Sequence, residues 1–214
     1  MNEETHDRLC NLATAYMNAK EYIIDSGYAA EIDWQESVAL DDLTREQFLE
    51  EAAWVVLSSG MSERVIRKKF DEISSALHNW DIDMIVLSQS HCRARALKAF
   101  NHTGKVDAIL NIARVLYGID FATVLSEIRQ KEVEYIMKLP FMGPATSYHF
   151  AKNIGLDVVK PDRHLIRIAR VAGYESPAGM CSDIAEFIGE RMSVVDLVIW
   201  RFATLKVNYL DNFC

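Results

Sequence analysis

Val106, Ile109, Leu110, Ala113, Leu116 and Tyr117 recur at steps of three and four residues, the apolar stripe of one helix face. Val195, Val198, Ile199, Phe202 and Leu205 repeat the pattern near the C-terminus, and Phe48, Ala52, Val55 and Val56 repeat it after Thr44. No segment alternates with period two between turn pairs. Only 9 Gly and 4 Pro are spread over 214 residues, too few for a turn-rich β fold. The expected fold class is therefore all-α. Ser62 is placed to cap a helix over about 63–75, and further helices are expected over about 120–130, 132–139, 145–154 and 162–172. Residues 26–42 read as a link from an N-terminal helix to the main body. Residues 155–161 should be extended, because Pro161 disfavours a helical residue before it.

With 50% hydrophobic and 25% charged residues, the chain is a globular one, long enough for one large domain or two small ones. Cys10, Cys92, Cys181 and Cys214 show no ligand spacing and no disulfide framework, so reduced thiols in an intracellular, non-secreted protein are expected. The acidic N-terminus lacks the basic and apolar regions of a signal peptide, and apolar runs such as 52–57 are far short of a membrane span.

The net charge of −8 argues against strong non-specific nucleic-acid binding, but the charge is uneven. Residues 1–50 carry a net −9 and the remaining 164 a net +1. Between Lys138 and Arg170 stand Lys138, Lys152, Lys160, Arg163, Arg167 and Arg170, opposed only by Asp157 and Asp162. Such a face suits a polyanion, and equally an ordinary solvated helix surface.

The most informative segment is 132–170, EVEYIMKLPFMGPATSYHFAKNIGLDVVKPDRHLIRIAR. Leu139-Pro140 should end one helix, Gly143 should supply an unusual backbone angle, and Pro144 suits the first position of the next helix. The unpaired N–H groups of that second helix could hold a phosphate without reading sequence; a plain αα-hairpin has the same pattern. Asp162 follows Pro161 and should cap the helix behind it. A carboxylate fixed there could stabilise a developing sugar cation or orient water. An ordinary N-cap looks the same in sequence.

Together these residues resemble the helix-hairpin-helix DNA glycosylases of the endonuclease III superfamily. The family's Leu-Pro-Gly-hydrophobic-Gly stands here as Leu139-Pro140-Phe141-Met142-Gly143, followed by Pro144-Ala145-Thr146. Its Val-Asp-Thr-His-Val-x-Arg is similar to Pro161-Asp162-Arg163-His164-Leu165-Ile166-Arg167. Residues 101–116, NHTGKVDAILNIARVL, and 48–62, FLEEAAWVVLSSGMS, look like the family's helix before the hairpin and its early helix with a DNA-facing loop. The resemblance spans about 45–205.

It implies two helical lobes, 43–155 with the hairpin and 1–42 plus 156–214, with a flipped base in the cleft between them. It implies excision of a damaged or mismatched base from double-stranded DNA, with Asp162 catalytic. Leu139, Pro140, Phe141, Met142, Gly143, Ala145 and Thr146 would form the DNA-binding hairpin, and Met61 is a candidate wedge or a core methionine. A monomer in the cytoplasm or nucleus is expected, with no cofactor, metal or membrane.

Three departures qualify this. Phe141 replaces the first hairpin glycine. Ala145 stands where strand-cutting members carry lysine, so a monofunctional enzyme is implied. The cluster-binding cysteines of some members are missing, so no iron–sulfur cluster is expected. Lys152, about 10 Å further along the helix, and Lys160 read as phosphate or surface lysines. A lyase using either, a non-catalytic DNA-structure binder and a helical adaptor are the alternatives. Trp54, Trp80, Trp200 and Tyr148 are candidates to stack on a base or to fill the core, while His91, His102 and His149 have no ligand spacing.

Overall fold

A computed structural model describes residues 3–213. Among them lie thirteen α-helices and no strand: α1 Glu3–Ile23, α2 Ala29–Ser37, α3 Arg45–Ser58, α4 Glu63–Ala76, α5 Ile82–Leu87, α6 Gln89–Ala99, α7 Thr103–Gly118, α8 Phe121–Lys131, α9 Val133–Ile136, α10 Pro144–Asn153, α11 Arg163–Val171, α12 Pro177–Ile188 and α13 Met192–Leu205. The fold is all-α. The chain divides into two compact units, Ala39–Ile154 and Met1–Val38 with Gly155–Cys214.

In the unit Ala39–Ile154, local chemistry sets the helix starts. Thr44 closes a capping box with Gln47 and opens α3; Asp81 and Asp120 cap α5 and α8 through the N–H groups of Met84 and Thr123. Ser62 precedes α4 without a side-chain cap bond. The core is aromatic at its centre: fully buried Phe48 meets Phe150 edge-on at 4.8 Å between centroids and Phe121 at 5.7 Å. The Phe48–Phe150 contact fixes α10, and hence the hairpin, against α3, while α7 packs on α3 as well.

In the other unit, α1 packs on α12 and α13 through Tyr16, Ala19, Ile23, Met180, Ile184, Val195 and Val198, and α11 adds Leu165 and Ile168. Arg201 holds Glu31 through two bonds of 2.9 and 2.7 Å. The stretch between α10 and α11 has no helix and is pinned to the start of α13. Arg191 donates to the Gly155 carbonyl (2.7 Å), Ser193 N–H to Asp157 Oδ1 (2.8 Å), and Lys160 N–H to buried Asp196 Oδ2 (2.5 Å).

Two expectations change. Residues 26–42 hold a helix, α2, entered through Gly27 at φ 90°. Its buried face includes Gln35, so no clean apolar stripe announces it. The helix expected over 132–139 shrinks to the single turn α9: Glu132, at a left-handed φ of 44°, breaks the chain before it, and after Ile136 the N–H groups of Lys138 and Leu139 turn to the Tyr135 and Ile136 carbonyls three residues back. No single helix among the described residues is long and apolar enough to cross a membrane; α7 and α8 pass such a test only jointly, bent by 108°.

Candidate nucleic-acid interface

The hairpin turn is built differently from its sequence reading. Met142 N–H donates to the Leu139 carbonyl at 3.1 Å, closing a four-residue turn with Pro140 second and Phe141, at φ 68°, third. Proline followed by a positive φ is the signature of a type II turn, whose third position normally takes glycine. Gly143 is not the strained residue: its φ of −76° and ψ of 179° are extended, and a Cβ there would meet nothing within 4 Å. The left-handed demand falls on Phe141, at a cost of about 1–2 kcal/mol.

Gly143 is the N-cap of α10 and offers no side-chain acceptor, while Pro144 has no N–H. The N–H groups of Ala145 and Thr146 therefore lack an intrahelical partner. Gly143, Pro144 and Ala145 are exposed, Pro140 and Thr146 partly so. The side chains of Leu139 and Met142 turn into the core, which leaves their backbone as the part of each placed toward a ligand at the turn. Met61 lies exposed in the loop after α3, beyond Gly60 at φ 67°.

Asp162 caps α11. Its Oδ1 accepts from His164 N–H (2.8 Å) and Leu165 N–H (3.0 Å), and no hydrogen bond engages Oδ2. One oxygen thus fixes the carboxylate while the other stays available, and the side chain is partly exposed. Burial, the largest influence, lowers the His164 pKa against the opposing charge of Asp162. Its Nδ1 is buried without a hydrogen-bond partner, and the ring meets Tyr209 edge-on at 5.2 Å. Beyond the cap, Arg163, Arg167 and Arg170 form an exposed stripe along α11.

The other candidates separate. Lys152 is buried, which corrects its reading as a phosphate or surface lysine; it lies on the inner side of α10. Trp80 is core. Trp54 is partly buried, edge-on to Phe70 and under Arg67, and Trp200 lies under Arg201. Cys10, Cys92 and Cys181 form no disulfide, Cys214 lies outside the described residues, and no group of three or more His, Cys, Asp or Glu among the described residues could hold a metal ion.

Two residues of this unit went unread in the sequence because only the tertiary fold gives them their surroundings. One is Lys105, whose buried ammonium lies below Phe141. The other is Glu51 of α3, which accepts from Asn153 Nδ2 of α10 at 3.1 Å. Burial, the largest influence, pushes the Glu51 pKa up to about 7 against that hydrogen bond. A carboxyl raised from its ordinary 4.5 contributes full stability below that pH and loses it as pH rises toward 7. The loss is on the order of 2–3 kcal/mol. Glu51→Gln keeps the Asn153 contact without the charge. It should leave Tm unchanged at pH 4.5 and raise it by roughly 5 °C at pH 8, read by thermal melts across that range.

No known protein-family model matches the chain. A solved structure from Methanocaldococcus jannaschii, an 8-oxoguanine glycosylase/lyase in complex with 15mer DNA containing 8-oxoguanine, shares the fold at a TM-score of 0.56 and 18% identity, over 92% of this chain and 98% of that one.

Proposed function

We propose that this protein is a monofunctional DNA N-glycosylase that hydrolyses the bond between a damaged or mismatched base and its deoxyribose. The observation that carries the reading is the Asp162 carboxylate, locked through Oδ1 by two backbone N–H groups with Oδ2 unengaged. A carboxylate held in this way needs no reorganisation when positive charge develops on a sugar, and it can orient the attacking water. The N–H groups of Ala145 and Thr146 hold a backbone phosphate, and the α11 arginines add sequence-independent attraction. Similarity to a glycosylase/lyase bound to 8-oxoguanine DNA supports the substrate class and makes 8-oxoguanine the first lesion to test. The direct experiment is single-turnover base release from duplexes that each carry one lesion.

Two binding predictions separate the hairpin from the arginine stripe. A Cβ at exposed position 143 meets no atom within 4 Å and the backbone there is extended, so Gly143→Val should keep Tm within a few degrees. It should nevertheless weaken binding to all duplexes by about tenfold, since it blocks a phosphate approach that carries no base information. Unchanged affinity in the folded variant would make the hairpin purely structural. Replacing Arg163, Arg167 and Arg170 together by Gln should reduce the slope of log K against log salt by about 2–3, because each phosphate left without its cation lowers that slope by about 0.9. An unchanged slope would remove the stripe from the interface.

A further inference from the structure

Lys105 is only 3% exposed, an unusual place for an ammonium group. Its Nζ donates to the carbonyls of Leu57 and Ser59, both at 2.6 Å. These are carbonyls at the end of α3 that the helix itself leaves unpaired, and a cation suits that end of the dipole. Burial holds the amine's pKa below its ordinary range, yet the two carbonyls have use only for its donors. On the other side, the Phe141 ring lies 5.9 Å from Nζ and edge-on to His102 at 6.5 Å between centroids. His102 in turn caps α7 by accepting the Lys105 N–H at 3.3 Å.

Three separate segments of the unit Ala39–Ile154 thus meet around one side chain: the end of α3, the start of α7 and the hairpin turn. The α3 end leads within three residues to Met61, 40% exposed, whose N–H is held by the Ser58 carbonyl at 3.0 Å. An aromatic at a left-handed φ, Phe141, stands where glycine would fit the turn, and its ring lies over the amine. Helix α3 could end without a buried lysine, as α12 does at Gly189 in the left-handed conformation.

We propose that Lys105 is a positioning residue: its clamp on the Leu57 and Ser59 carbonyls holds the Met61 loop in fixed relation to the hairpin turn, so that Met61 enters the base stack while the hairpin grips the backbone. An apolar wedge works only if it is delivered at a set distance from the anchored phosphate. The proposal rests on the glycosylase reading and adds to it the residue that couples anchoring to insertion.

The test uses full-length protein and a duplex carrying 2-aminopurine beside an abasic-site analogue, whose fluorescence rises when the neighbouring stack opens. Lys105→Met should bind a lesion-free duplex within about threefold of wild type but lose about tenfold or more of the fluorescence change at saturation. Met61→Ala should lose as much, and the double variant should lose no more than either, because both act through one step. Lys105→Arg, which keeps donors for both carbonyls, should recover most of the signal. A merely structural lysine would instead lower affinity and signal together, add to the Met61→Ala loss, and overturn the proposal. So would a folded Lys105→Met with the wild-type fluorescence change. If Lys105→Met does not fold, Lys105→Gln retains one donor and should still lose about threefold of the signal; a wild-type signal there contradicts the proposal. Absence of duplex binding by the wild-type protein is a different result, since it rejects the glycosylase reading itself.

Discussion

Asp162→Asn should lower the single-turnover rate of base release by about 10²–10³-fold or more, the scale of losing one preorganised electrostatic contact. The fold should survive, because asparagine caps helices as well as aspartate and its amide oxygen can still accept from His164 and Leu165 N–H. Duplex affinity should hold or rise, since a negative charge facing phosphates is removed. Asp162→Ala separates the two roles: it removes both cap and charge, and should also cost about 1 kcal/mol of stability. A near-wild-type rate for the asparagine variant, measured with enzyme in excess, would reduce Asp162 to a helix cap.

The second large effect concerns strand cleavage. β-Elimination requires an imine with the sugar, and an imine requires an amine at its carbon. Ala145 is exposed in the first turn of α10, next to the uncapped N–H groups, and supplies none. Lys152, two turns on, is buried on the inner side of the same helix. Borohydride should therefore trap no adduct with lesion-bearing DNA, and nicks should appear only after alkali or heat. Ala145→Lys should introduce a trappable adduct, provided its amine is uncharged when it reaches the sugar. An adduct with the wild-type protein would reverse the monofunctional reading, and separate Lys152→Met and Lys160→Met variants would locate the amine.

Features written in neighbouring residues were legible in the sequence. The helix start at Thr44, the apolar stripe of α7 and the cap from Asp162 depend on contacts within a few positions, so spacing alone reveals them. The hairpin was legible as a break and misread in detail. Glycine is the usual bearer of a positive φ, so Gly143 drew the assignment. The type II turn places that demand two residues earlier, on Phe141. Helix α2 escaped because its buried face includes a glutamine, and α9 was drawn too long because no glycine or proline stands between Ile136, where it ends, and Leu139. Lys105 and Glu51 were beyond reach for a different reason. Their partners lie 46 or more positions away, and a lysine or glutamate among apolar neighbours reads as an ordinary surface residue.

The most direct measurement of the central claim is product analysis after single turnover of the wild-type protein on a panel of duplexes, each with one altered base and 8-oxoguanine among them. The account predicts that at least one duplex yields the free base together with an intact strand that breaks only on alkali treatment, and that Asp162→Asn releases that base far more slowly. Tight binding to the same duplexes with no base released from any of them would contradict it, and would leave a protein that recognises DNA structure without chemistry.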